Sequence, residues 1–226
     1  MVELYGVRLS MLPDRHAMIA GLRQDLYDTW RAKHKNVRDE RTARSSLIAL
    51  YLLDFYAPGQ KLAYDANGRP YFLDSAIDFN ITHTGNMTFL AIAREEKTGD
   101  LPFPRVGLDA EDLSRIATVR ICPMAARWFS KGEYDCFLSN PSDTTFLRFW
   151  TRKESLIKWT GHGLRSLREA DTLQAGERYG VSFHEYREEN ALITLCLPIG
   201  AIPPEQIHML SEEELSAMGL SADTPS

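Results

Sequence analysis

The alternation of apolar and polar residues over Glu3–Leu9 predicts a strand, and after Pro13-Asp14 a helical spacing runs through about Arg31. Leu47-Ile48-Ala49-Leu50-Tyr51-Leu52-Leu53 is apolar nearly all round, the pattern of a buried helix, and it must stop before Pro58-Gly59. A turn at Asn67-Gly68-Arg69-Pro70 leads into Tyr71-Phe72. Ile77–Thr82 and Met87–Arg94 then read as two strands around a His83-Thr84-Gly85-Asn86 turn. Residues 95–105, polar and then proline-containing, read as a link between two halves. Beyond them come a strand at Val106–Ala110, helices over about 121–129 and 143–159, and two strands at Tyr179–Tyr186 and Ala191–Leu197. From Pro203 the chain turns polar and acidic, which predicts a short peripheral helix and a frayed tail without chemistry.

Composition narrows the partners. The chain has 226 residues, of which 44% are hydrophobic, and a net charge of −5. That is enough for one large domain or two small ones, and it gives no electrostatic case for nucleic acid or an anionic membrane. An anionic ligand therefore needs a local basic patch, and Arg31, Lys33, Lys35, Arg38, Arg41 and Arg44 supply one. Cys122, Cys136 and Cys196 are odd in number and widely spaced, so reduced, mostly buried thiols are expected. With no basic-then-apolar N-terminus and no run of membrane-spanning length, a soluble cytoplasmic protein is the expectation.

Three short motifs carry candidate chemistry. On a strand, Asp109 and Glu111 project to one face, an arrangement suited to a hard divalent cation, although an Asp-x-Glu at a strand end is equally read as solvated surface. Glu154 and Lys158 stand four apart on a helix, which by itself describes an ordinary surface ion pair. Their apolar flanks, Phe149, Trp150, Leu156, Ile157 and Trp159, argue for burial, and a buried acid and base require partners such as a metal and a pyrophosphate. His83, between the hydroxyls of Thr82 and Thr84, can reach a phosphate or simply lie exposed in its turn.

In order and spacing, Phe79-Asn80-Ile81-Thr82-His83-Thr84-Gly85, Gly107-Leu108-Asp109-Ala110-Glu111 and Trp150-Thr151-Arg152-Lys153-Glu154-Ser155-Leu156-Ile157-Lys158 resemble the signature of the Sfp-type 4′-phosphopantetheinyl transferases. Thr replaces Ser twice in the first motif. Ala126–Tyr134 and Gly161-His162-Gly163-Leu164 resemble flanking family segments, so the likeness spans about residues 40–170. It implies transfer of 4′-phosphopantetheine from coenzyme A to a serine of an apo acyl or peptidyl carrier protein, releasing 3′,5′-ADP. By the same resemblance Asp109, Glu111 and Glu154 bind Mg²⁺ or Mn²⁺, Glu154 acts as base directly or through water, and Lys158 stabilises the phosphates. His83, with Thr82 beside it, meets the 3′-phosphate, helped by Arg44 in preference to Arg41 and by a lysine of the 31–38 patch. Gly68-Arg69-Pro70 resembles the family's Gly-Lys-Pro loop and makes Arg69 a nucleotide contact.

Arg152, Lys153, Lys158, Arg165 and Arg168, with Phe129, are read either as a seat for an acidic carrier helix or as solvated surface. The implied fold is α+β, with two similar subdomains at 1–104 and 105–202, the ligand between them, a peripheral tail at 203–226, and a monomeric state. A catalytically silent coenzyme A-binding or carrier-binding protein is the rival reading, and a Mg²⁺-dependent phosphohydrolase a second. Carriers of fatty acid, polyketide or nonribosomal peptide synthesis, or of lysine metabolism, all suit the resemblance.

Overall fold

The computed structural model describes residues 1–33, 39–94, 105–118, 120–163 and 166–221. The link expected over 95–105 falls almost wholly outside them. The fold is α+β. In chain order the first part runs β1 (Val2–Arg8), α1 (Arg15–Gly21), α2 (Gln24–Lys33), α3 (Glu40–Tyr56), β2 (Leu62–Tyr64), β3 (Pro70–Phe72), β4 (Ile77–Thr84) and β5 (Met87–Arg94). There follow β6 (Gly107–Asp112), α4 (Ile121–Trp128), α5 (Lys131–Ser139), α6 (Asp143–Thr160), α7 (Ala175–Tyr179), β7 (Val181–Glu188) and β8 (Ala191–Pro198). The chain closes with β9 (His208–Met209) and α8 (Glu212–Ala217).

The single helix expected up to Arg31 is two. Tyr51 of α3 donates its hydroxyl to the Met18 carbonyl at 2.7 Å, and a side chain at Gly21 would meet that hydroxyl oxygen at 2.7 Å. Close packing on α3 therefore ends α1 where the periodicity continues. Asp39 caps α3 by accepting from the Thr42 amide, and Leu47–Leu53 is buried throughout, as its all-round apolar sequence requires.

One sheet has the order β4-β5-β1-β9 and a second the order β6-β8-β7. β5 is central in the first, and every residue from Met87 to Ala93 is buried. One face of that sheet packs on α3 through Tyr5, Val7, Leu47, Ile48 and Leu52. The other meets the second sheet, where Leu4, Phe89 and Ala91 share a cluster with Leu108, Ile193 and Leu195. Behind the second sheet, Leu156 and Ile157 of α6 pack with Val181 and Cys196.

Two expectations are corrected. The segment after Pro203 returns to the first half: β9 pairs in parallel with β1, and Leu210, Leu215 and Leu220 enter the α3 core at 1–2% exposure. Its polar sequence conceals three apolar positions that need only one covered face. Of the three free cysteines only Cys196 is buried, whereas Cys122 and Cys136 are exposed.

Candidate active site

β4 and β6 are the edge strands of their sheets, and side chains rather than a backbone ladder join them. Asp78, Asn80 and Thr82 alternate along β4, so they share one face. Asp78 Oδ2 accepts from the Val106 amide at 2.8 Å, and Asn80 Oδ1 from the Leu108 amide at 3.3 Å. Thr82 donates its hydroxyl to Asp109 Oδ1 at 3.4 Å. All three are buried, so these bonds satisfy edge groups that water does not reach.

α6 lies directly on β6 because of Gly107. A Cβ there would fall 2.0 Å from the Ser155 carbonyl oxygen and 2.8 Å from the Trp159 amide nitrogen. The side chains at 107, 109 and 111 share a face, so the glycine lets the helix approach and Asp109 and Glu111 project alongside it. α6 is capped by Ser142 at one end and by Gly161 in the left-handed conformation, φ 76°, at the other. Glu154 and Lys158, half-buried, come round to the same side one turn apart.

Lys158 Nζ donates to Asp109 Oδ1 at 2.7 Å, to the Leu108 carbonyl at 2.9 Å and to Thr82 Oγ1 at 3.3 Å. Burial pushes the Asp109 carboxyl above its ordinary range, against the pull of the Lys158 ammonium. Its second oxygen, Oδ2, is buried with no hydrogen-bond partner. Glu154 is pushed up to about 7, first by burial and then by the charge of Asp109, with Lys158 opposing and Glu111 adding to the rise. Among the described residues no three His, Cys, Asp or Glu side chains already converge as a ligand set. An orphaned carboxylate oxygen and a third acid whose ionisation is opposed by burial and then by two neighbouring acids are nevertheless what a cation would relieve, so the donor set fits a hard divalent ion.

Glu154 and Lys158 border a cleft of about 350 Å³ lined also by Gly68, Arg69, Asn80 and Gly161, among others. His83 occupies the end of β4 rather than a turn and is exposed. The surrounding protein, Lys158 and Arg41 push its imidazole below the ordinary histidine value, with Asp109 opposing. Thr84, its other neighbour, is buried.

The basic residues are used differently from the sequence expectation. Arg44 Nη2 donates to the carbonyls of Leu9 and Leu12, both at 2.6 Å, which fixes the turn after β1. Arg41, exposed and near enough to lower His83, is the better placed of the two. Lys35 and Arg38 of the basic stretch lie outside the described residues, as does the Lys33 side chain. Arg69 lines the cleft, but its guanidinium donates to Asp78, Val106 and Lys158. The patch over 152–168, read either as a carrier seat or as solvated surface, loses Lys153 and Phe129 to the interior. Lys153 has no exposure and pairs with Glu133 at 2.7 Å, Arg152 pairs with Glu185, and Phe129 is buried. Arg165 lies outside the described residues, and Arg168 is exposed.

Sequence reasoning missed Asp78 and Asn80. Their signal was available as polar residues at a spacing of two leading into Thr82 on a strand with apolar neighbours. Glu133 was also missed. It caps α5 in a box with Ser130, accepts the Thr172 amide and hydroxyl, and neutralises Lys153. No local pattern announces a contact across twenty residues.

The strand and helix that carry Asp109, Glu111, Glu154 and Lys158 fall within residues 105–195, the segment that matches the family model of the 4′-phosphopantetheinyl transferase superfamily. Relatives over longer stretches carry the same name. The chain is 28% identical over 212 residues to the 4′-phosphopantetheinyl transferase psf-1 of Bacillus pumilus, which covers 87% of this chain and 80% of that one. It is 32% identical over 123 residues to the 4′-phosphopantetheinyl transferase HetI of a Nostoc species, covering 50% of this chain. That match spans about half, 47%, of the Nostoc protein's length. With the 4′-phosphopantetheinyl transferase gsp of Aneurinibacillus migulanus it shares 28% over 178 residues, 73% of this chain and 68% of that one.

Proposed function

We propose that this chain transfers the 4′-phosphopantetheine group of coenzyme A to a serine hydroxyl of an apo acyl or peptidyl carrier protein. The bond formed joins the serine oxygen to the β-phosphorus, and the bond broken releases 3′,5′-ADP. The observation that carries this reading is that Glu154 and Lys158 line one cleft while Lys158 bonds the buried Asp109 of a second element, with Thr82 at the first half's edge. Asp109, Glu111 and Glu154 would hold Mg²⁺ or Mn²⁺, which supplies positive charge to the pyrophosphate.

The remaining work belongs to the chain's own side chains. Glu154, which lines the cleft, would take the serine proton directly or through a water. Lys158, whose ammonium is already aimed into the site, stabilises charge on the leaving phosphate. His83 and Arg41 suit the 3′-phosphate, because a bound dianion supplies the charge that would restore the depressed imidazole to its cationic form. Thr82, expected beside the 3′-phosphate, instead is buried and gives its hydroxyl to Asp109.

The strand orders support a pseudo-dimeric reading. β4-β5-β1 and β7-β8-β6 are alike, each an antiparallel hairpin added to the strand that opens its half, with α3 or α6 intervening. The site then lies between the halves, and a monomer carries it whole. No helix among the described residues is long and apolar enough to cross a membrane, and we place the reaction in the cytoplasm.

The test is intact-protein mass spectrometry of several apo carrier proteins incubated with the chain, coenzyme A and Mg²⁺, with an EDTA control. The expected result is a metal-dependent gain of one phosphopantetheinyl unit on the carrier serine. Binding of coenzyme A with no gain on any carrier would replace this reading by a silent binder. Nucleotide cleavage without a carrier would replace it by a phosphohydrolase.

A further inference from the structure

The side chains assigned to the reaction come largely from three elements, β4, β6 and α6, and one residue outside them touches all three. Arg69 ends the turn between β2 and β3. Its Nε donates to the Lys158 carbonyl at 2.9 Å, on α6. Its Nη2 donates to Asp78 Oδ2 at 2.8 Å and Oδ1 at 3.0 Å, on β4, and to the Val106 carbonyl at 3.2 Å, at the entry to β6. Asp78 Oδ2 closes the ring by accepting from the Val106 amide at 2.8 Å. The two side chains are only 10% and 7% exposed, so this ion pair is screened little by water.

The turn that presents Arg69 is itself fixed. Asp65 Oδ1 accepts from the amides of Asn67 and Arg69, each at 2.9 Å, and Gly68 takes the left-handed conformation, φ 85°. Asn67 Nδ2 donates to the Gly161 carbonyl at 2.7 Å. The turn thus satisfies two carbonyls at the C-terminal end of α6, where backbone acceptors lack helical partners and a cation is favoured.

We propose that Arg69, acting with Asp78, is a positioning residue that holds the last turn of α6 so that Lys158 stays in register with Asp109 and Thr82. Its kinetic consequence rests on the transfer reading above; the anchoring itself does not. The anchoring bonds use Nε and Nη2 alone, so a contact of Arg69 with the nucleotide through Nη1 is a separate use of the same side chain, which the kinetic test below distinguishes from anchoring. A lysine at 69 keeps the charge, but a single ammonium cannot serve a helix carbonyl and a carboxylate in the planar fork that Arg69 forms. A shift of the α6 end by about 1 Å is enough to lose the 2.7 Å Lys158–Asp109 bond, and displacement of that order costs about 10²-fold in rate.

The experiment uses the full chain with Arg69→Lys and Asp78→Asn, each checked by thermal melting, the second variant deciding if the first does not fold. In the carrier-transfer assay the expected result is a fall in kcat of about 10²-fold with coenzyme A affinity unchanged. Weakened coenzyme A binding with kcat intact would assign Arg69 to the nucleotide and overturn the proposal. A second arm needs no transfer: acetylation of Lys158 by a small amine-reactive reagent, followed by peptide mass spectrometry. In the wild type three oxygens hold Nζ and slow the reaction. Both variants should label severalfold faster at Lys158 but not at Lys131, whose side chain is 91% exposed. Unchanged Lys158 labelling would overturn the anchoring role. Faster labelling together with a wild type that modifies no carrier would sustain the anchor and remove only the proposed reaction.

Discussion

Replacing Glu154 by Gln in the metal-free protein should stabilise the fold at alkaline pH and do little at acid pH. The Glu154 carboxyl rises from 4.5 to about 7 because burial and the Asp109 charge oppose its ionisation. The folded state therefore holds its proton more tightly than the unfolded chain, and stability falls as pH rises from about 4.5 to 7. At about 1.4 kcal/mol per unit the full penalty is about 3 kcal/mol above that window and about 1 kcal/mol or less near pH 5. Partial access of Glu154 to solvent reduces the upper figure to about 2 kcal/mol. For a chain of this size that is a melting shift of about 4–8 °C. The assay is a thermal melt of wild type and Glu154→Gln in EDTA, at pH 5 and pH 8. A gain at pH 8 that vanishes at pH 5 is expected. An equal shift at both values, or a loss at pH 8, would refute the electrostatic account of this site.

Three further outcomes follow from the geometry. His83→Ala should weaken coenzyme A by about 10- to 100-fold, the worth of a charge-assisted bond, and leave 3′-dephospho-coenzyme A nearly unaffected; calorimetry giving equal losses would remove His83 from the 3′-phosphate. Gly107→Ala places a methyl 2.0 Å from a backbone oxygen of α6, so it should cost about 3 kcal/mol or more in urea unfolding, and a neutral result would mean that α6 does not sit on β6. Leu215→Ala should cost about 2–5 kcal/mol, because Leu215 is 1% exposed in the α3 core; a change under about 0.5 kcal/mol, typical of surface sites, would restore the view of a peripheral tail.

How far the sequence discloses this molecule depends on the range of each interaction. α3, α6, β5 and β6 are legible because their apolar spacing is local and their ends carry ordinary stop signals, such as Asp39 before α3 and Gly161 after α6. Asp109 and Glu111 share a face because a strand repeats every two residues, and Glu154 and Lys158 because a helix repeats every 3.6. What stays hidden is set by partners distant in the chain. Tyr51 breaks a helix 33 residues upstream, and Leu210 fills a core built by residues between Tyr5 and Ile92. Arg44 reads as a phosphate contact and Lys153 as part of a basic patch until two carbonyls and a buried glutamate take them. Counting basic residues over 152–168 therefore overstated the charge that the protein presents.

The site also explains why its motif residues run against local preference. An isolated domain selected for stability would pair Asp109 with Lys158 and leave no third acid nearby, since each added carboxylate raises the cost of ionising the others. Here Glu154 lies close enough to feel both Asp109 and Glu111, while Asp109 retains a buried oxygen without a partner. Such a conflict persists only where surrounding packing enforces it, and Gly107 and the Arg69–Asp78 pair do so by pressing α6 onto β6 and fixing its end. The elements that carry the acids are thus held by contacts remote from them. Placement and charge are separable in consequence: Glu154→Gln relieves the repulsion without moving the helix, whereas Arg69→Lys moves the helix end without altering the charge.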